Sequence, residues 1–155
     1  MAAITISRVS NEIKQIQDPS HKPLAPIEFG ARVRVKRFSY TADGDEAVNG
    51  IVELLRFNKS VDILFGYVGW DDDFSLATGS VDIGYTNTRT PTDDNIDDLL
   101  DGGDTTDVEA GTIIPEDGGV GLHLTDATSV ILKVLTAKLT AGKTISGYVL
   151  YVENS

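Results

Sequence analysis

From residue 31 to residue 153 the chain is a series of short apolar, β-rich runs cut off by Gly, Asp, Asn and Ser. Punctuation of this kind is the mark of a sandwich or barrel, in which each strand ends in a turn after a few residues. The spacing predicts strands over 50–57, 60–70, 74–85, 128–136 and 144–153, with shorter ones at 112–114 and 120–124. Asp43-Gly44-Asp45 is a turn signal. From Arg32 to Lys36 the sequence alternates, which places Val33 and Val35 on one face and Arg32, Arg34 and Lys36 on the other. Arg37 breaks that phase, which predicts a bulge or a change of face. The stretch from Leu132 to Leu139 has some helical phase, but its β-branched flanks and the Ala141-Gly142-Lys143 turn favour a strand that leaves into a loop. The expected fold is all-β: one antiparallel β-sandwich or jelly-roll-like domain over 31–155, with one short helix and an extended N-terminal arm over 1–30.

The helix is expected at 93–101. Ile96, Leu99 and Leu100 follow i, i+3, i+4, Thr92 is a capping residue, Asp93 and Asp94 suit the positive end of the dipole, and Gly102 suits a left-handed stop. The same region reads as the start of a calcium loop, Asp93-x-Asn95-x-Asp97. Its sixth position is Asp98 rather than glycine and its twelfth is Asp104 rather than glutamate, so the helix is the better reading.

Residues 1–30 differ from the rest. Pro19, Pro23 and Pro26 remove backbone donors and push the preceding residues toward extended geometry. Ile4, Ile6, Ile13 and Ile16 are isolated apolar residues in a polar background, a pattern that suits an arm docking on a neighbour. With Arg8, Lys14 and Lys22 they form the candidate partner-binding set.

The chain has 155 residues, 13 basic and 24 acidic, for a net charge of −11, and no cysteine. The length suits a single domain that buries roughly 68–70% of its unfolded surface without metal or disulfide. Charge is unevenly placed: residues 1–40 sum to +4, residues 41–155 to −15, and between Asp71 and Asp117 fourteen acids face only Arg89. A body of that sign repels phosphate, so no nucleic-acid partner is expected. The basic N-terminal part suits an acidic partner protein, and equally an internal pairing with the acidic body. The N-terminus lacks the pattern of a signal peptide. The longest apolar stretch, 61–70, is interrupted by Asp62, Gly66 and Gly69 and is far short of the ~18–20 residues of a spanning helix, so a soluble chain without a membrane partner is expected.

Chemistry is sparse. His21 lies in the proline-rich arm and His123 in a short strand, neither beside a nucleophile-elbow pattern. Phosphate-loop and dinucleotide glycine patterns are absent. Trp70, the single tryptophan, reads as a core-edge anchor. The expectation is a non-enzyme with no catalytic, metal or cofactor site.

Three patterns, in order, carry a family resemblance. The first is Val52-Glu53-Leu54-Leu55-Arg56-Phe57-Asn58-Lys59-Ser60-Val61-Asp62-Ile63-Leu64, a strand, turn and strand. The second is Gly79-Ser80-Val81-Asp82-Ile83-Gly84-Tyr85, then Asn95-Ile96-Asp97-Asp98-Leu99-Leu100-Asp101-Gly102, then Ala110-Gly111-Thr112. The third is Gly142-Lys143-Thr144-Ile145-Ser146-Gly147-Tyr148-Val149-Leu150-Tyr151-Val152. Together they resemble the capsid decoration (cement) proteins and related head structural proteins of tailed bacteriophages. The resemblance implies a virion protein on the capsid exterior that binds the outer face of the major capsid protein lattice, stabilises it, and assembles as a homotrimer. The alternative is a head- or tail-fibre-associated adhesive module binding a glycan or host surface. Fibre repeats and coiled-coil stalks are missing, and aromatics are few.

Overall fold

The computed structural model describes residues 8–9, 27–29, 33–75, 79–87, 95–105, 109–114, 122–125 and 127–153. Among them run eleven strands: β1 (Arg8–Val9), β2 (Ile27–Phe29), β3 (Val33–Thr41), β4 (Ile51–Phe57), β5 (Val61–Trp70), β6 (Ser80–Asn87), β7 (Asn95–Asp104), β8 (Glu109–Ile114), β9 (Leu122–Leu124), β10 (Thr128–Val134) and β11 (Thr144–Glu153). They form two sheets. Sheet A has the order β1-β4-β10-β6-β7, and sheet B the order β2-β3-β11-β5-β8, with β9 also pairing β5. All pairs are antiparallel except β1 with β4.

The two sheets form a β-sandwich. Alternation sends Val130, Leu132 and Val134 of β10 and Val81 and Ile83 of β6 to one side of the core, and Val68, Trp70, Ile145 and Val149 to the other. Full burial of each such side chain contributes roughly 1.5–3 kcal/mol. Trp70 is therefore a core residue, 5% exposed.

The turn at Asp43-Gly44-Asp45 is held from beneath by a buried carboxylate. Glu46 accepts the Asp43 and Gly44 amides at 3.1 and 3.0 Å and the Tyr40 hydroxyl. Gly44 turns with φ +89°. The stretch after Lys133 does leave into a loop once β10 ends at Val134. The strand expected over 74–85 starts at Ser80 instead: Phe74 is fully buried in a turn, and Ser75 makes an isolated bridge to Leu139.

Two expectations are corrected. First, the helix at 93–101 is not formed: Asn95–Asp104 is strand β7, paired with β6 at the edge of sheet A, while residues 93 and 94 lie outside the described residues. The register runs Ile83↔Leu100 and then Tyr85↔Asn95, so β7 carries extra residues in a wide bulge. That bulge brings the adjacent Leu99 and Leu100 both into the core, the side-chain grouping that a helical period also produces. The edge of β6 supplies backbone partners that an isolated short helix lacks. Gly102, expected as a helix stop, does have a positive φ of 66°, but within the strand, where its amide donates to Asp82 Oδ1 at 2.9 Å.

Second, Arg37 marks no bulge. The β3–β11 register is unbroken from Val33↔Val152 to Thr41↔Thr144. Phe38 and Tyr40 are buried, and the period of two carries Arg34 and Lys36 to the same inner face. Both cations are met there. Arg34 Nη1 donates to Glu153 Oε1 at 2.6 Å, and Lys36 Nζ donates to the Arg56 carbonyl and lies 4.7 Å from the centre of the Phe57 ring. Burial pushes the Lys36 ammonium down to about 8, against the opposing pull of the Glu53 carboxylate.

Candidate functional site

Two of the three large exposed apolar side chains among the described residues, Phe65 and Tyr67, lie on the outer face of sheet B. Its composition follows from register. Arg37, Tyr148 and Tyr67 lie side by side across β3, β11 and β5, and Val35, Leu150 and Phe65 form the next row. Phe65 is 47% exposed and Tyr67 37%. The Tyr67 and Tyr148 rings stack with centroids 6.2 Å apart at 23°. On the other side of the tyrosines a row of small residues, Ser39, Ser146 and Gly69, leaves a shallow trough of about 600 Å³. Its β5 end opens at Asp71, in the exposed Asp71-Asp72-Asp73 turn. At the opposite end of β5, His123 and Asp62 form a largely exposed pair. A contiguous apolar face of this kind is the ordinary mark of an interaction surface.

Sheet A differs. Glu53, fully buried, accepts Arg56 Nε at 2.8 Å, Arg56 Nη2 at 2.5 Å and the Ser129 hydroxyl. Asp82, paired in register with Lys133, is buried too. Burial holds the Asp82 carboxyl above its ordinary 3.8, the Gly102 amide opposes this, and Asp101 adds to the rise. A raised folded-state pKa means that the native protein holds this proton more tightly than the unfolded chain does. Stability from this group is therefore complete below pH 3.8 and is lost as pH rises through the folded-state value. Asp82→Asn keeps an oxygen for the Gly102 amide and removes the charge. It is expected to raise Tm at pH 7, with the gain shrinking to nothing below pH 3.8, as followed by thermal melts across pH.

Of the partner-binding set, Arg8 lies in β1, where the backbone pairs with Val52 of β4. Ile4, Ile6, Ile13, Lys14, Ile16 and Lys22 lie outside the described residues, as does His21. The arm is thus tied to the sandwich at two described points, β1 on sheet A and β2 on sheet B. Among the described residues no group of three or more His, Cys, Asp or Glu side chains is placed to hold a metal ion.

Sequence reasoning missed Phe65, Tyr67, Tyr148 and Leu150. The signal was present, because β5 and β11 are apolar at both parities. An antiparallel strand with one wet face alternates; one that is apolar on both faces has something to cover on each.

No protein-family model and no curated protein matches the chain. Solved structures do. A chain from the capsid of Ralstonia phage GP4 matches with a TM-score of 0.63 at 20% identity, covering 90% of this chain and 94% of that one. A chain from the acid-stable capsid of Helicobacter pylori bacteriophage KHP30 matches at 0.58 and 14%, covering 84% and 95%. A chain from the cyanophage Pam1 capsid matches at 0.58 and 15%, covering 88% and 99%. The likeness extends over nearly the whole of each chain, and so this protein has the fold of phage-capsid chains, in keeping with the resemblance read from its sequence.

Proposed function

We propose that this chain is a non-enzymatic structural protein of a phage virion that binds the outer face of the major capsid lattice and stabilises it, as a cement or decoration protein does. The observation that carries the reading is the fold shared with capsid chains along 84–90% of the sequence. Two features support it. The apolar rows of sheet B offer Phe65, Leu150 and Val35 as a contact face. The acidic remainder of the chain suits a surface turned to solvent. In this reading the arm, residues 1–30, works beside the sandwich domain, residues 31–155. Ile4, Ile6, Ile13 and Ile16 bury on a neighbouring subunit, and Arg8, Lys14 and Lys22 steer the encounter toward acidic surface. Three copies assemble as a homotrimer on the capsid exterior.

Co-sedimentation with shells of the major capsid protein tests it. The full chain is expected to pellet with shells. Phe65→Asp, at a side chain already exposed, is expected to weaken binding at least tenfold while leaving Tm near that of the parent. A full chain that stays in the supernatant, or a Phe65→Asp variant that binds as well as the parent, overturns the reading.

A further inference from the structure

We propose that the trough on the outer face of sheet B is a binding site for an oligosaccharide that carries a carboxylate at one end. The trough holds about 600 Å³, a size within the roughly 300–1,000 Å³ of sites that take small ligands. Tyr67 and Tyr148 wall it on one side, their rings stacked 6.2 Å apart. Tyrosine offers an apolar ring with a polar tip, and a sugar ring, with its C–H face and hydroxyl rim, meets both. The row of Ser39, Ser146 and Gly69 is small, so such a ring can settle beside the tyrosines.

The position on a sheet face favours a sugar over a peptide. An extended peptide binds by adding a strand at a sheet edge, where backbone groups are unpaired. Strand β11 forms the middle of the trough and pairs with β3 on one side and β5 on the other, so its backbone is already taken. Hydroxyls, a guanidinium and aromatic rings remain, a set suited to a hydroxyl-rich ligand.

Charge then fixes the kind of sugar. Arg37 is exposed and lies opposite Tyr148 in register, and among the described residues its side chain has no hydrogen bond or ion pair. Its planar fork matches a carboxylate with two parallel hydrogen bonds. Asp71 follows β5 at the far corner of the trough, roughly 16 Å from Arg37 by strand spacing and rise. Asp71 Oδ2 accepts the Thr144 amide at 2.8 Å, which holds the carboxylate in place, and Asp72 and Asp73 are exposed beside it. Carboxylates at that end accept sugar hydroxyls and repel a second anion. The site therefore takes one acidic sugar at Arg37 with a neutral remainder toward Asp71, and refuses a polyanion. The rows of Val35, Leu150 and Phe65 lie on the other side of the tyrosines, so capsid contact through them leaves the trough to a ligand.

The full chain, without shells, is fluorescently labelled and applied to a glycan array. The array carries carboxylated oligosaccharides, sialyllactose and glucuronyl-terminated glycans among them, with their neutral counterparts and sulfated polysaccharides. At least one carboxylated glycan is expected to be retained about tenfold above its neutral counterpart, the difference that a charge-assisted pair makes. Arg37→Gln is expected to remove that preference, and Ser146→Glu, at an exposed position of the floor, to abolish binding, each with circular dichroism and Tm near those of the parent. An array on which no carboxylated glycan exceeds its neutral counterpart overturns the proposal. So does a preference that survives Arg37→Gln, since the carboxylate is then held elsewhere. Strongest retention on the sulfated polysaccharides also overturns it, because the surface then attracts anions without reading a sugar. A chain that sediments as a dimer, and as a monomer with Ser146→Glu, overturns it too, because a second copy then covers the trough.

Discussion

Arg56→Ala is expected to lower Tm by about 6–20 °C, the shift that about 3–5 kcal/mol produces in a domain of this size. Arg56 is 44% exposed, so on its own it resembles an ordinary surface cation. Its partner is not ordinary. Glu53 is wholly buried on sheet A, and the guanidinium supplies two of its hydrogen bonds, with Ser129 giving a third. Removing the arginine takes away two of the three hydrogen bonds of a buried carboxylate and its directly paired charge, leaving only the Ser129 hydroxyl and the charge of Lys36 nearby, and that lost compensation for desolvation is the source of the cost. The double change Glu53→Leu with Arg56→Ala removes charge and counter-charge together. It is expected to recover most of the loss, because an apolar side chain of similar size needs no partner. Urea or thermal denaturation of the three proteins gives the comparison. A double variant no more stable than Arg56→Ala would show that the pair matters for something other than charge matching.

Gly84→Ala is expected to cost about 1–3 kcal/mol or more, through overpacking. A Cβ at this position would lie 2.3 Å from the Asn95 carbonyl oxygen and 2.3 Å from the Ile96 carbonyl carbon. Both are backbone atoms of β7 and cannot swing aside as a flexible side chain does. The strand must move off β6, taking Leu99 and Leu100 partly out of the core. Amide hydrogen exchange should show protection lost across the β6–β7 pairing and kept in sheet B. Protection unchanged across β6–β7 would mean that β7 does not cross the glycine at this spacing. The same glycine explains why the acidic segment lies as a bulged strand: only a residue without a side chain lets the chain cross β6 so closely.

The β class and the approximate position of most strands are readable from the chain alone, because alternation and turn residues act locally and survive without a fold. Strands β4, β5, β10 and β11 fall within a residue or two of the runs read from pattern. The turn at Asp43-Gly44-Asp45 was legible for the same reason. Two features depend on contacts between residues far apart in the chain. The segment from Asn95 to Asp104 has one set of apolar positions that serves either a helix or a bulged strand, and the open edge of β6 chose the strand. The inner face of β3 was set by Phe38 and Tyr40, whose full burial leaves Val33 and Val35 half-buried on the other face and draws Arg34 and Lys36 inward, where Glu153 and a carbonyl meet them. The aromatic face needed both kinds of information. Each strand's double-sided apolar pattern is visible in the sequence, but Tyr67 and Tyr148 are 81 positions apart, and only the pairing of β5 with β11 lays one ring against the other.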